Sequence, residues 1–361
     1  MNKFLKFLLN TLLAIILGTV GVVAGFAVNV FILNPPKDET YISGDLSIHF
    51  LELGNKYTGD SIFIQCGDYD ILIDAGSRNE SATTIINYVD QFVTDNTLEF
   101  VIATHADQDH ISAFYSTKSR EGIFEHYQVE TIIDFPKTNK TTETYNNYIT
   151  YRDLEVQNGA VRYSALDCYN NDGGAKRVYN LTEFVELEIL YNYYYENQTN
   201  DENDYSVCVM INQGDNHYLF TGDLEEDGES HLVDYYKQNH GGLPHCVLYK
   251  AGHHGSGTSS SPKLLAEITP DYVCVCCCAG SDEYTDNIDN QFPYKVMVQN
   301  VSQYTDNIFV TTMIDENGNP VSMNGNIVIR VSGGKLEVDC SNNNTILKET
   351  QWYKTRWPSG V

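Results

Sequence analysis

The densest chemistry in the sequence is Thr104-His105-Ala106-Asp107-Gln108-Asp109-His110, with two imidazoles and two carboxylates in six residues. Carboxylates this crowded repel one another unless a cation holds them, so the pattern reads as a set of metal ligands. The preceding run, Phe100-Val101-Ile102-Ala103, is apolar and β-branched, as expected of a buried strand. The four side chains are therefore expected on a loop just past a strand end, where rigid scaffolds present reactive groups.

Three further strand ends repeat this arrangement. Asp74 follows Leu72-Ile73, Asp223 follows Phe220-Thr221-Gly222, and His253 and His254 follow Lys250-Ala251-Gly252. One Asp beside a Gly is an ordinary turn residue. Four strand ends that each carry Asp or His imply that the strands deliver these groups to one sheet edge.

The elements that would position them are short. Strands are expected at Leu46–Leu53, and at Gly59–Gln65 and Tyr69–Asp74 as a hairpin. Helical spacing covers Ser81–Val93, with Ile85, Ile86, Val89 and Phe92 on one face, and a helix is expected over Ile111–Phe124. Pro136–Gly174 is a polar insertion with helical pieces between Thr142 and Gly159. Tyr191, Tyr193, Tyr194 and Tyr195 suit surface strand and loop better than a substrate pocket. Strands follow at Ser206–Ile211 and His217–Thr221, a helix at Glu225–His240, a strand at Cys246–Lys250 and a helix at Pro262–Ile268. Strands then recur to Val338, and the tail holds Trp352 and Trp357, placed to pack back on the domain.

Nine cysteines show no zinc-finger spacing, and the odd count argues against a complete disulfide framework. Cys274, Cys276, Cys277 and Cys278 crowd one apolar run. Consecutive strand residues point to opposite faces and do not converge on one ion, so these read as small hydrophobes in a buried strand.

Phe7 to Pro36 contains no charged residue, and these 30 residues exceed the ~20 a helix needs to cross a bilayer. A cleaved signal peptide has a shorter apolar region, of ~7–15 residues. With Lys3 and Lys6 before the segment and Asp38 and Glu39 after it, the reading is a single-pass signal anchor. Its N-terminus lies inside the cell and the remainder outside. The expected organisation is a transmembrane segment at 1–36, a linker at 37–44, one domain at 45–340 and a C-terminal tail at 341–361. From Lys37 onward the chain carries 20 basic and 49 acidic residues, a net of −29. That weighs against sequence-independent binding of nucleic acid through basic patches, although bound divalent ions can supply local positive charge.

The ordered motifs Leu72-Ile-Asp-Ala-Gly76, Thr104-His-Ala-Asp-Gln-Asp-His110, Phe220-Thr-Gly-Asp223 and Lys250-Ala-Gly-His-His-Gly-Ser256 resemble those of metallo-β-lactamase fold hydrolases. More narrowly, they are similar to the metallo-β-lactamase-like domain of ComEC-type competence proteins, which carry Asp at the position of Asp107. Asn203-Asp-Tyr-Ser206 also matches that branch. The resemblance covers about Asp45 to Val338. It implies an α/β protein, an αββα sandwich here preceded by one N-terminal transmembrane helix, with one or two divalent ions, Zn or Mn.

By position, His105 and Asp107 would hold the first ion. Asp109, His110 and one of His253 and His254 would hold the second, with Asp223 bridging both. Asp109 would also serve catalysis by orienting the nucleophile, a hydroxide generated on the metal. Asp74, Asn203 and Ser256 would stand behind the ligands, Asp74 against a ligand imidazole. Where the related branch often has His-Pro after the late strand, this chain has Phe292-Pro293. No mid-chain His follows a strand at the place of a third nitrogen for the first ion, so Asn203 or water would fill it.

The implied function is a membrane-anchored extracellular hydrolase of phosphodiesters, nuclease-like or phosphorylcholine esterase-like. Its partner would be a phosphoester substrate such as DNA or an envelope polymer. The alternative is a non-catalytic binding module of the same fold at the cell surface.

Overall fold

The computed structural model describes residues 46–332 and 335–361. The membrane-anchor expectation lies outside the described residues, among which no helix is long and apolar enough to cross a membrane. The compact body takes in the described residues up to Arg330 and from Glu337 onward.

Six strands in chain order begin the first sheet: β1 (Leu46–Phe50), β2 (Ile62–Cys66), β3 (Tyr69–Ile73), β4 (Thr97–Ala103), β5 (Gln128–Asp134) and β6 (Val161–Ser164). Eight more build the second: β7 (Val178–Asn180), β8 (Val185–Ile189), β9 (Val209–Gln213), β10 (Asn216–Phe220), β11 (Leu248–Lys250), β12 (Tyr272–Ala279), β13 (Ile308–Ile314) and β14 (Pro320–Ser322). The chain then returns to the first sheet with β15 (Ile327–Ser332) and β16 (Lys335–Cys340). The orders are β16-β15-β1-β2-β3-β4-β5-β6 and β14-β13-β12-β11-β10-β9-β8-β7. Each sheet pairs antiparallel at the hairpins and parallel where helices intervene, as in β3-β4-β5-β6 and β10-β11-β12-β13.

Alternation along β1 sets the layers. Leu46, Ile48 and Phe50 share one face, and Phe50 stacks on Phe220 of β10 with ring centroids 6.2 Å apart, joining the two sheets. His49 points the other way, toward the helix α1 (Ser81–Val89), where its Nδ1 lies 2.8 Å from the Tyr88 hydroxyl. The Ile85, Ile86 and Val89 stripe of that helix is buried, as its spacing predicts.

The parallel strands β3, β4, β10 and β11 end at the same edge, and each is followed by one of the motifs. Hydrogen bonds lace these ends together: Ala75 N donates to the His110 carbonyl (2.7 Å), Val207 N to the Thr104 carbonyl (2.9 Å) and His253 N to the Gly222 carbonyl (3.2 Å). Gly76 allows the closest approach, since a Cβ there would stand 1.5 Å from the Asp109 carbonyl oxygen.

Two local expectations change. The segment after β4 is not wholly loop: Gln108–Ile111 forms one helical turn, α2, with Asp107 in the extended conformation that leads into it. The expected helix over Ile111–Phe124 is instead two short turns, α2 and α3 (Ile123–His126). Backbone donors here do not follow a helical ladder: Ala113 N bonds the Ala75 carbonyl, Ile123 N the Ala113 carbonyl and Phe124 N the Phe114 carbonyl. Gly122 lies against the Tyr115 carbonyl, where a Cβ would come within 2.6 Å.

The insertion does contain a helix, α4 (Glu143–Asn158), opened by the Thr142 hydroxyl accepting from Tyr145 N and closed by Gly159 at φ 123°. Tyr194 and Tyr195 are buried, and the Tyr195 hydroxyl accepts from Cys208 N (3.0 Å), a structural role. All nine cysteines are free and buried, including the four on β12, which act as small hydrophobes. Trp357, Tyr353 and Leu347 pack into the second sheet's apolar layer.

Candidate metal centre

The site is built from a first shell of nitrogen and oxygen atoms that face one another. His110 Nε2 lies 3.2 Å from His254 Nε2 and 3.1 Å from Asp223 Oδ2. His254 Nε2 lies 3.0 Å from Asp223 Oδ2 and 3.4 Å from Asp109 Oδ2. A tetrahedral ion with bonds of about 2.0–2.1 Å sets its ligand atoms roughly 3.3–3.4 Å apart. The His254–Asp109 separation matches that spacing, and the other three fall slightly inside it.

The imidazoles are aimed by carboxylates behind them. His110 Nδ1 donates to Asp74 Oδ2 (2.8 Å), and His254 Nδ1 donates to Asp60 Oδ1 (3.0 Å). Each Nδ1 thus carries a proton and each Nε2 points inward. The two Nε2 atoms lie 3.2 Å apart and share Asp223 Oδ2, an arrangement that a bound cation would satisfy. Burial opposes charging His110, but Asp223 and Asp74 outweigh it and raise its proton affinity well above the usual imidazole value. Burial likewise opposes ionising Asp223, yet His110, His254 and Lys250 hold it well below the usual carboxylate range. The pocket's charge therefore favours a cation.

His105 stands beside this group, with its ring centroid 4.1 Å from that of His110. Its Nδ1 bonds the Thr104 hydroxyl (3.2 Å), and that hydroxyl donates to Asp74 Oδ2 (2.7 Å). The His105 Nε2 atom is buried with no hydrogen-bond partner. Burial holds its proton affinity well below normal, leaving a neutral nitrogen suited to a metal. Asp107 Oδ2 lies 3.7 Å from that nitrogen, and the carboxylate forms an ion pair with Lys140.

His253 borders the cluster rather than entering it. Its Nε2 is 4.0 Å from Asp223 Oδ2, and its Nδ1 is 3.2 Å from Glu225 Oε1. The Asn203 amide donates to the same Glu225 oxygen (3.3 Å), so Asn203 reaches the site through Glu225 and His253. The Ser256 hydroxyl bonds Thr258 (2.9 Å) and braces the loop without touching the imidazoles. Asp223 turns its Oδ1 toward Lys250 Nζ (3.4 Å) and its Oδ2 toward the imidazoles of His110 and His254. Asp74, His253 and His254 all adopt left-handed backbone, at φ 60°, 46° and 54°. Such strain in non-glycine residues costs about 1–3 kcal/mol each and concentrates at functional sites.

Two buried residues were missed in the sequence. Asp60, at the entry to β2, contributes one of four potential ligand atoms within 4.8 Å of one another, the others coming from His110, Asp223 and His254. Its carboxylate is spent on His254 Nδ1 and on an ion pair with Lys250, so it steers a ligand. Lys250 Nζ also donates to the Gly222 carbonyl (2.9 Å). The available signal was a charged residue at the start of one apolar run, Asp60, and at the end of another, Lys250. Glu225 was likewise unmarked, in an acidic stretch that read as helix surface.

The two-sheet α/β fold and this edge site resemble those of metallo-β-lactamase-fold proteins. Residues 54–130 match the family described as the metallo-beta-lactamase superfamily, a span that includes Asp60, Asp74 and the His105–His110 motif. The chain is similar to competence proteins: it is 38% identical over 78 residues to "Competence protein ComA" of Neisseria gonorrhoeae. That match covers 22% of this chain and spans 11% of the relative's length. Among solved structures, the fold protein YhfI from Bacillus subtilis is 9% identical with a TM-score of 0.45, over 82% of this chain and 100% of that one. A long-form RNase Z from yeast is 10% identical with a TM-score of 0.40, over 82% and 44%.

Proposed function

We propose that this protein is a metal-dependent phosphoester hydrolase held in the cell membrane by residues 1–36, with its catalytic domain outside the cell. The observation that carries the reading is the convergence of His110 Nε2, His254 Nε2 and Asp223 Oδ2 within 3.0–3.2 Å of one another, with Asp109 Oδ2 3.4 Å from His254 Nε2 and the unpartnered His105 Nε2 beside them. Similarity to a competence protein and the Asp at position 107 favour phosphodiester over lactam chemistry, with DNA or an envelope polymer as substrate.

Divalent ions, Zn or Mn, would be held by His110, His254, Asp109 and Asp223, and by His105 with Asp107. When bound they would polarise a phosphoryl oxygen and lower the pKa of water. The chain's own residues supply position. Asp74 and Asp60 fix the tautomers of His110 and His254. Burial raises Asp109, but the hydrogen bond from His254 and the charge of His110 outweigh it and hold it well below the carboxylate range. Asp109 is therefore ionised at neutral pH and able to accept a hydrogen bond from an attacking water.

The test uses the full chain purified in detergent. Metal analysis is expected to find bound Zn or Mn. A screen of bis-aryl phosphate, single-stranded DNA and choline phosphate esters is expected to find turnover that Asp109→Ala lowers at least a hundredfold. Protein free of divalent metal after purification and reloading would overturn the reading, as would turnover indifferent to Asp109→Ala. Membrane fractionation with external protease checks the placement.

A further inference from the structure

Lys140 lies in the segment between β5 and α4, against the first expected ion position. Its ammonium pairs with Asp107; the two side chains are 31% and 26% exposed. The segment that carries it is braced. Glu202, 6% exposed, accepts from the Thr138 hydroxyl (2.6 Å) and from Asn139 N (2.7 Å). The Asn139 amide reaches the Thr199 carbonyl (2.9 Å), and Lys140 N bonds the Thr138 hydroxyl (2.9 Å). The ammonium is thus delivered from a fixed backbone rather than a loose tail.

Asp107 has two claimants. Its Oδ2 is 3.7 Å from the buried, unpartnered His105 Nε2, where an ion would draw it, and Lys140 holds it from the solvent side. A divalent ion bound by His105 and Asp107 would take over the carboxylate and repel the ammonium. Among the described residues, Lys137 on the same segment bonds the Glu196 carbonyl, Arg78 is tied to Glu283 at 2.6 Å, and Lys250 is buried between Asp60 and Asp223. A partly exposed ammonium at the mouth then needs a new anion, and a non-bridging phosphoryl oxygen suits such a point charge.

We propose that Lys140 has two roles: it is the counter-ion of Asp107 in the metal-free protein and a substrate-anion-binding residue once an ion occupies the His105–Asp107 position. The phosphoester identity of that anion rests on the proposed function; the competition between Lys140 and a metal for Asp107 does not.

The experiment compares the full-length protein with Lys140→Met and Lys140→Arg. Calorimetric titration with Mn²⁺ is expected to show the His105–Asp107 position tightening several-fold in Lys140→Met, because a competing cation is gone. Binding of inorganic phosphate to the metal-loaded protein is expected to weaken about tenfold or more in Lys140→Met and to be largely retained in Lys140→Arg. With bis-aryl phosphate, KM is expected to rise while kcat changes little. Unaltered Mn²⁺ affinity in a folded Lys140→Met overturns the competition, and unaltered phosphate affinity overturns the anion role. If both shift but no phosphodiester is turned over, Lys140 stands and the proposed function falls. Lys140→Arg, which keeps the charge, guards against reading a folding defect as lost binding.

Discussion

At the residue scale, the site depends on groups that never face the substrate. Asp60 is fully buried, bonds His254 Nδ1 at 3.0 Å and pairs with Lys250. An Asn there keeps an acceptor for the imidazole but loses the charge that balances the ammonium and raises ligand basicity. Asp60→Asn is expected to weaken metal affinity about 10–100-fold, the usual effect of losing such an outer partner, as read by calorimetric titration. It is also expected to lower stability, because Lys250 is left with only the more distant Asp223 as counter-ion. An Asp60→Asn protein that binds metal as tightly as the parent would remove Asp60 from the site.

At the element scale, β1 shows how one strand serves two layers, and it carries a pH dependence away from the metal centre. Its outer-face His49 is buried under α1, between Phe63, Tyr88 and Phe92. Burial, aided by the nearby Arg330 charge, lowers its pKa to about 3. An unfolded histidine titrates near 6.5. Between these values the unfolded chain holds a proton the folded chain refuses, so stability is full above pH 6.5 and falls as pH drops toward 3. The loss from this residue is about 2 kcal/mol at pH 5. Urea unfolding at pH 7 and pH 5 is expected to show it, and His49→Phe, which suits the aromatic surroundings, is expected to shrink that difference by about the same amount. An equal pH response in the variant would place the acid sensitivity elsewhere.

At the scale of the whole molecule, the two half-sites come from different sheets and meet only at their shared edge. Asp74, His105, Asp109 and His110 belong to the first sheet, and Asp223 and His254 to the second. A metal held by both is a cross-link between layers and binds only the folded chain. At a thousandfold excess over its Kd such an ion stabilises by ~4 kcal/mol. Removing it with a chelator is expected to lower Tm by roughly 5–10 °C, with Zn or Mn restoring it. In Asp223→Ala, which removes the carboxylate between the two imidazoles, the chelator is expected to have little effect. An unchanged Tm in the parent protein would show that the layers hold together without the ion.

The sequence by itself determined the strand ends and the chemistry they carry, because alternation, apolar runs and Asp or His at their ends are local patterns. It also determined the cysteine strand, where adjacent side chains point to opposite faces and cannot share an ion. Segments steered by non-helical partners were not legible: Ile111–Phe124 breaks into two turns because Ala113 N goes to Ala75 and Ile123 N and Phe124 N reach back to Ala113 and Phe114, ten residues earlier. In the opening motif, spacing alone marked His105, Asp107, Asp109 and His110 alike, and only the family resemblance paired His105 with Asp107 and Asp109 with His110. The tertiary structure shows the same grouping and its physical form. Asp109 and His110 meet His254 and Asp223, while His105 and Asp107 stand apart with Lys140. It also brought His254 inward with His253 at the rim, and set Asp60 behind His254 from 194 positions away in the chain. Contacts over that separation depend on how two sheets pack, and no local spacing records it.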